Sequence, residues 1–261
     1  MKIIKKVKKG FTLIELLVVI AIMGSLGAVG YVAILAFSNA GDKQAAKENI
    51  KQIGTALTEF KKSYSYFPCD DTAESVTGKA ESFGELTGET SNPYFRQLFA
   101  KKDAVKEATF FAKIPGMREG DEKIANGECL KPGENAYAYV MQKAQEVDTA
   151  SAKGKKNKAA PATPKRKAVT GGVLLFCCVD SNLTAPVTGD QLTFDMEAFK
   201  DYAIAYTVDG STLDLDDEAL TADEANESIG RLTEKSVSKL FGETRSGDSK
   251  AHQFEILPPA R

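Results

Sequence analysis

One carboxylate, Glu15, interrupts the apolar run from Phe11 to Phe37, and no Lys, Arg or His shares that run. A carboxylate at the centre of a membrane helix costs roughly 2.5 to 3.5 kcal/mol on insertion scales, so an acid in such a place calls for a named partner. Directly ahead lie Lys2, Lys5, Lys6, Lys8 and Lys9, then Gly10. Cutting after Gly10 removes the lysines and exposes a new α-amine on Phe11, whose unperturbed pKa of about 8 keeps it charged at neutral pH. Within one helix that amine sits four residues from Glu15, about 6 Å along the axis. A second copy, slightly staggered, brings its own amine closer, and a low dielectric strengthens the attraction. These residues therefore offer cleavage at Gly10 followed by self-association through an ion pair. The plain alternative is an acid tolerated near the end of an anchor, its carboxylate snorkelling to the interface.

The order of these features also matters. A secretory signal is cut after its apolar stretch, whereas here the small residue precedes it, so the apolar part stays on the mature chain. Lys9, Gly10, Phe11, Thr12, Leu13, Ile14, Glu15 and the apolar residues behind them resemble the type IV pilin superfamily. The likeness is to the class III signal of type IV pilins and of the pseudopilins of type II secretion. The resemblance implies cleavage between Gly10 and Phe11 by a prepilin peptidase, N-methylation of Phe11, and a role for Glu15 in polymerisation. It also implies further partners: copies of the chain and other pilin-like subunits in a filament, and an inner-membrane assembly platform.

The elements that position these residues follow from pattern. The run from Phe11 to Phe37 exceeds the roughly 20 residues that span a hydrocarbon core. With lysines on its N-terminal side, the positive-inside rule keeps that end in the cytoplasm. The expectation is a single-pass inner-membrane protein with a periplasmic head, which after assembly lies in a periplasmic or surface filament. Gly24, Gly27 and Gly30 thin one helix face and allow close packing; ordinary glycine use in a membrane span explains them equally well. Ala46, Ile50, Ile53, Leu57, Phe60 and Tyr64 continue the helical period as an amphipathic stripe. The helix should stop just before Pro68.

The expected organisation is a leader at 1–10, a membrane and assembly half of a long helix at 11–37, its amphipathic half at 38–67, and a head at 68–261. We expect an α+β fold, the long helix packed on an antiparallel sheet, as the resemblance also implies. In the head, Asn92 to Phe99 reads as a short aromatic helix, and Ala136 to Met141 is ambiguous between helix and strand. Val173 to Val179 is the clearest strand. Ala203 to Val208 runs into Asp209-Gly210, a strong hairpin signal, with Ser211 to Leu215 returning beside it.

Charge is segregated along the head. Residues 149–172 carry Lys153, Lys155, Lys156, Lys158, Lys165, Arg166 and Lys167 with no acid, and read as a flexible basic insertion. Contact with an acidic polymer or another subunit is the functional alternative. Nucleic acid is not expected as a partner, because no aromatic residue interleaves the cations for base stacking. Asp209, Asp214, Asp216 and Asp217 begin an acidic stretch. Because some pseudopilins bind calcium near the C-terminus, these four are weak calcium candidates, although their spacing is not that of an EF-hand loop. No other cofactor is expected. Loss of the five leader lysines takes the formal charge from −2 to −7, and attraction between the two charge clusters of stacked copies would make assembly sensitive to salt.

Cys69, Cys129, Cys177 and Cys178 contain no CxxC pair, which disfavours zinc and redox motifs. In an oxidising compartment Cys69 and Cys129 could each pair with one of the adjacent cysteines, which in a strand point to opposite faces. Buried free thiols are the other reading. Catalysis finds little support: His252 is the only histidine, and neither GxxxxGK[ST] nor GxGxxG occurs. The leading expectation is a structural subunit of a type II secretion pseudopilus. A pilin of a surface type IV pilus (adhesion, motility or DNA uptake) is the alternative, followed by a membrane-anchored binding domain that never polymerises. Tyr64, Tyr66, Phe67 and Pro68 after the helix resemble the aromatic and proline exit common in pseudopilins.

Overall fold

The computed structural model describes residues 13–76, 83–101, 104–124, 128–144, 165–199, 202–223, 226–244 and 247–261, and within 24–38 the backbone alone. The chain divides into two compact units, Met1–Gly41 and Asp42–Arg261. One helix, α1 (Leu13–Tyr64), runs through the boundary. No proline precedes Pro68, so nothing interrupts the hydrogen-bond ladder. The helix ends where Ser65 takes a φ of +70°.

In the second unit the amphipathic stripe becomes one wall of the core. Ala46, Ile50, Ile53, Leu57 and Phe60 are buried, and Tyr64 packs half-buried beside them. Burial is worth about 1.5–3 kcal/mol for each large apolar side chain. That sum, rather than helix propensity, holds this stretch of α1 against the head.

The head is α+β. Its larger sheet is antiparallel, in the order β4 (Val187–Thr188), β10 (Phe254–Leu257), β1 (Tyr137–Gln142), β3 (Val173–Cys177), β6 (Ala203–Thr207), β7 (Thr212–Leu215), with β2 (Lys167–Ala168) also on β1. A smaller sheet runs β5 (Thr193–Asp195), β9 (Asn226–Leu232), β8 (Leu220–Asp223). The ambiguous run after Ala136 is thus a strand. The expected hairpin is β6–β7, pairing Ala203 with Leu215 and Tyr206 with Thr212 across a turn in which Gly210 has φ +93°.

Strand β3 is buried along its whole length, which explains its continuous apolar run. Tyr137 lies opposite Cys177, and Ala138 opposite Phe176. On one face Tyr137 reaches α1, its hydroxyl donating to the Ala46 carbonyl at 3.3 Å. On the other, Phe176 meets Phe194 of β5 edge-on at 5.7 Å and Phe241 of α4 (Glu234–Phe241) at 6.2 Å. The large sheet is therefore sandwiched between α1 and a layer made of the small sheet and α4. Two short helices, α2 (Asp70–Val76) and α3 (Ser91–Arg96), close the end near Pro68. The aromatic run read as a helix is α3 with the 3-10 turn Gln97–Ala100, and Phe95 packs on Phe110 and Tyr139 at 5.1 and 5.4 Å.

Candidate functional site: the N-terminal segment and its supports

Gly10 and Phe11 lie outside the described residues. Glu15 stands in the first turn of α1, where a negative charge favours the positive end of the helix dipole. Around it every large apolar side chain from Leu13 to Met23 is exposed, from Leu13 at 82% to Val19 at 42%. Three successive helical turns carry apolar groups on all faces rather than on one stripe, a pattern that demands an apolar cover on all sides. Gly24, Gly27 and Gly30 belong to the helical backbone of α1. Among the described residues, no helix is long and apolar enough to cross a membrane. The side chains of residues 24–38, within and just beyond the predicted span, are outside that set.

Where α1 ends, aromatic side chains fasten it to the head. Phe60 and Tyr64 stack at 4.5 Å, Phe67 is buried, and the Lys61 ammonium lies 4.6 Å from the Phe67 ring centroid. Tyr139 donates its hydroxyl to the Pro68 carbonyl at 2.9 Å. Tyr66 alone of this group is largely exposed.

The calcium candidates do not come together. Asp214 on β7 takes a 2.7 Å ion pair from Lys47 of α1. Asp209 accepts from the Thr207 hydroxyl and the Ser211 amide inside the hairpin turn, and Asp216 accepts from the Glu218 amide. Among the described residues no three His, Cys, Asp or Glu side chains are grouped to hold a metal. Local turns use Asp209 and Asp216, and the helix–sheet contact uses Asp214. His252 is exposed, its Nδ1 3.2 Å from the Ser249 carbonyl.

All four cysteines are buried free thiols, so the pairing of Cys69 and Cys129 with the adjacent cysteines is not realised in the structure. Cys69 and Cys129 have separate surroundings. Cys69 sits with Thr72 and Gln97, and Cys129 beside Glu107 and Arg96. Burial, and next the charge of Glu107, pushes the Cys129 thiol up.

Of the basic insertion, residues 145–164 lie outside the described set. Its last residues are held in place. Lys165 pairs with Asp71 and Glu74 at 3.3 and 2.6 Å, Arg166 with Glu89 and Glu255 at 2.8 and 2.6 Å, and Lys167–Ala168 form β2. Burial alone would lower the Arg166 guanidinium, but the two carboxylates raise it above its ordinary value.

Two further polar clusters escaped the sequence reading. Lys43 lies over the Tyr202 ring at 4.2 Å, and burial with Asp214 beside it pushes Tyr202 up to about 12. Glu107 is fully buried; one carboxylate oxygen accepts from the Leu130 amide at 2.7 Å, and the other has no hydrogen-bond partner. Burial raises its pKa. A lone acid in a KEATFF stretch carries no periodic or motif signal that would reveal this.

No curated protein and no solved structure matches the chain significantly. The family comparison falls instead on the segment that holds Gly10, Phe11 and Glu15: residues 5–31 match the prokaryotic N-terminal methylation motif, the signature of type IV pilins and pseudopilins.

Proposed function

We propose that the chain is a structural subunit of a type II secretion pseudopilus. Prepilin peptidase cuts between Gly10 and Phe11, the new amine is methylated, and the N-terminal apolar helix drives polymerisation. The observation that carries this reading is the methylation motif at residues 5–31. The exposed apolar turns from Leu13 to Met23 support it, because lipid before assembly and neighbouring helices after it supply the cover they need. In the fibre, Glu15 of one copy meets the Phe11 amine of the next. The run from Phe11 to Phe37 anchors the unassembled subunit in the inner membrane, with the head in the periplasm. The aromatic exit from Tyr64 to Pro68 favours the pseudopilus over a surface pilus.

The first test is the N-terminus of protein extracted from membranes, which should read N-methyl-Phe11. Glu15→Leu should leave cleavage intact and remove the subunit from sheared or cross-linked fibres. Material that still begins at Met1, or fibres that incorporate Glu15→Leu normally, would defeat the proposal. Deletion in the native host separates the two systems. Loss of secreted proteins from the medium supports the pseudopilus, whereas loss of surface fibres with secretion intact assigns the subunit to a surface type IV pilus.

A further inference from the structure

Cys177 ends β3, and Cys178 follows it with φ +65°, the left-handed region that L-residues enter at a cost. Successive side chains of a regular strand point to opposite faces. The left-handed turn at Cys178 cancels that alternation, and the two Sγ atoms lie 3.6 Å apart. Both side chains are fully buried. The backbone here is also fixed from outside: the Cys178 carbonyl accepts from the Asp195 amide at 2.9 Å, and Val179 bridges to Phe194 of the small sheet. Arg261 adds a hydrogen bond to the Val179 carbonyl at 3.1 Å. A non-glycine residue held in such a conformation by its surroundings is grounds for a functional hypothesis.

We propose that Cys177 and Cys178 are a modification site, closing to a vicinal disulfide at the junction of the two sheets. The two sulfurs, 3.6 Å apart, must approach to about 2.05 Å to bond. Adjacent Cα atoms lie about 3.8 Å apart across a trans peptide, below the range of about 4.4–6.8 Å usual for disulfides, so such a bond reduces readily. Until the fold closes over it, the bond is thus readily reversed by thiols. The pair's partner is a disulfide oxidant, either a thiol oxidase or glutathione disulfide. One chain thiolate attacks the oxidant's S–S bond, giving a mixed disulfide and releasing one thiolate. The second chain thiolate attacks the mixed disulfide, forms the Cys177–Cys178 bond and releases the other. The two thiol protons end on the released thiolates, and the oxidant takes the two electrons. Because both thiols are buried in the folded chain, the exchange precedes the closure of β3 against β1.

The test uses the full chain in detergent, unfolded and refolded in a glutathione disulfide buffer, then denatured, alkylated without reductant and cut with trypsin. The peptide from Ala168 to Lys200 contains both cysteines. It should be two hydrogens lighter than the dithiol and take up alkyl groups only after reduction, and Cys177→Ser should return Cys178 to immediate alkylation. Immediate alkylation of both cysteines, a retained glutathione adduct on either, or a cross-link from this peptide to Cys69 or Cys129 would overturn the proposal. Neither cleavage at Gly10 nor a fibre enters this readout. A chain that begins at Met1 yet carries the bridge therefore refutes the functional reading alone.

Discussion

At the scale of single residues, Glu107 is the most consequential group that the sequence left unmarked. It pins Leu130, whose φ is +47°, by accepting from its amide, while Asn92 and Arg96 donate to the Leu130 carbonyl at 2.9 and 3.1 Å. Burial raises the Glu107 carboxyl above its ordinary value of 4.5. A carboxyl with a raised folded pKa binds its proton more tightly folded than unfolded. Its stabilising contribution is complete below 4.5 and is lost as the pH rises through the higher folded value. Glu107→Gln keeps an acceptor for the Leu130 amide without a charge to bury. Its stability advantage in urea unfolding should grow as the pH rises above 4.5. Parallel pH curves for the variant and the parent would refute this assignment. Glu107→Ala leaves the Leu130 amide unpaired in the core and should cost about 1–3 kcal/mol. No window of sequence reveals such a site, because the burial comes from loops that meet only in the fold. Cys178 is similar: a strand pattern implies alternation, and only the backbone turn undoes it.

At the scale of elements, legibility followed the strength of local periodicity. The stripe from Ala46 to Tyr64 was visible because five turns repeat the same spacing, and the β6–β7 hairpin because Asp209-Gly210 suits its turn. Strands β8 and β9 were hidden in a stretch dominated by carboxylates, with only Leu220 and Gly230 buried along their length. Strand β10 pairs with β1 and β4, both far away in the chain, and four residues carry no period that could announce it. Gly54 shows how an element-level contact depends on one missing atom. A Cβ there would overlap the Tyr206 ring of β6, so α1 approaches the sheet through this glycine. Alanine gains about 1 kcal/mol in helix propensity, yet overpacking a filled core costs about 1–3 kcal/mol. Gly54→Ala should therefore lower the thermal midpoint of the head. Combining it with Tyr206→Leu, which removes the obstructing ring tip, should give a loss smaller than the sum of the two single changes. Additive losses would mean that the two residues do not meet.

At the scale of the molecule, a single chain joins two units with opposite requirements. The first presents Leu13 to Met23 to its surroundings, while the core residues of the second all fall between Ala46 and Leu257. The boundary between the units falls inside α1 rather than at its end, so the head owns the helix from Asp42 onward. A fragment of residues 42–261 should consequently unfold in one cooperative urea transition and sediment as a monomer without detergent. A fragment of residues 65–261 loses Ile50, Ile53, Leu57 and Phe60, four large buried side chains. At about 1.5–3 kcal/mol each, their loss equals or exceeds much of the roughly 5–15 kcal/mol that stabilises a domain. The shorter fragment should aggregate or give no cooperative transition, whereas a stable, monomeric 65–261 would mean that the sheet does not need its helix. The same comparison bears on assembly: if 42–261 stays monomeric at concentrations where the mature chain forms fibres, self-association resides in the segment bearing Glu15, not in the head.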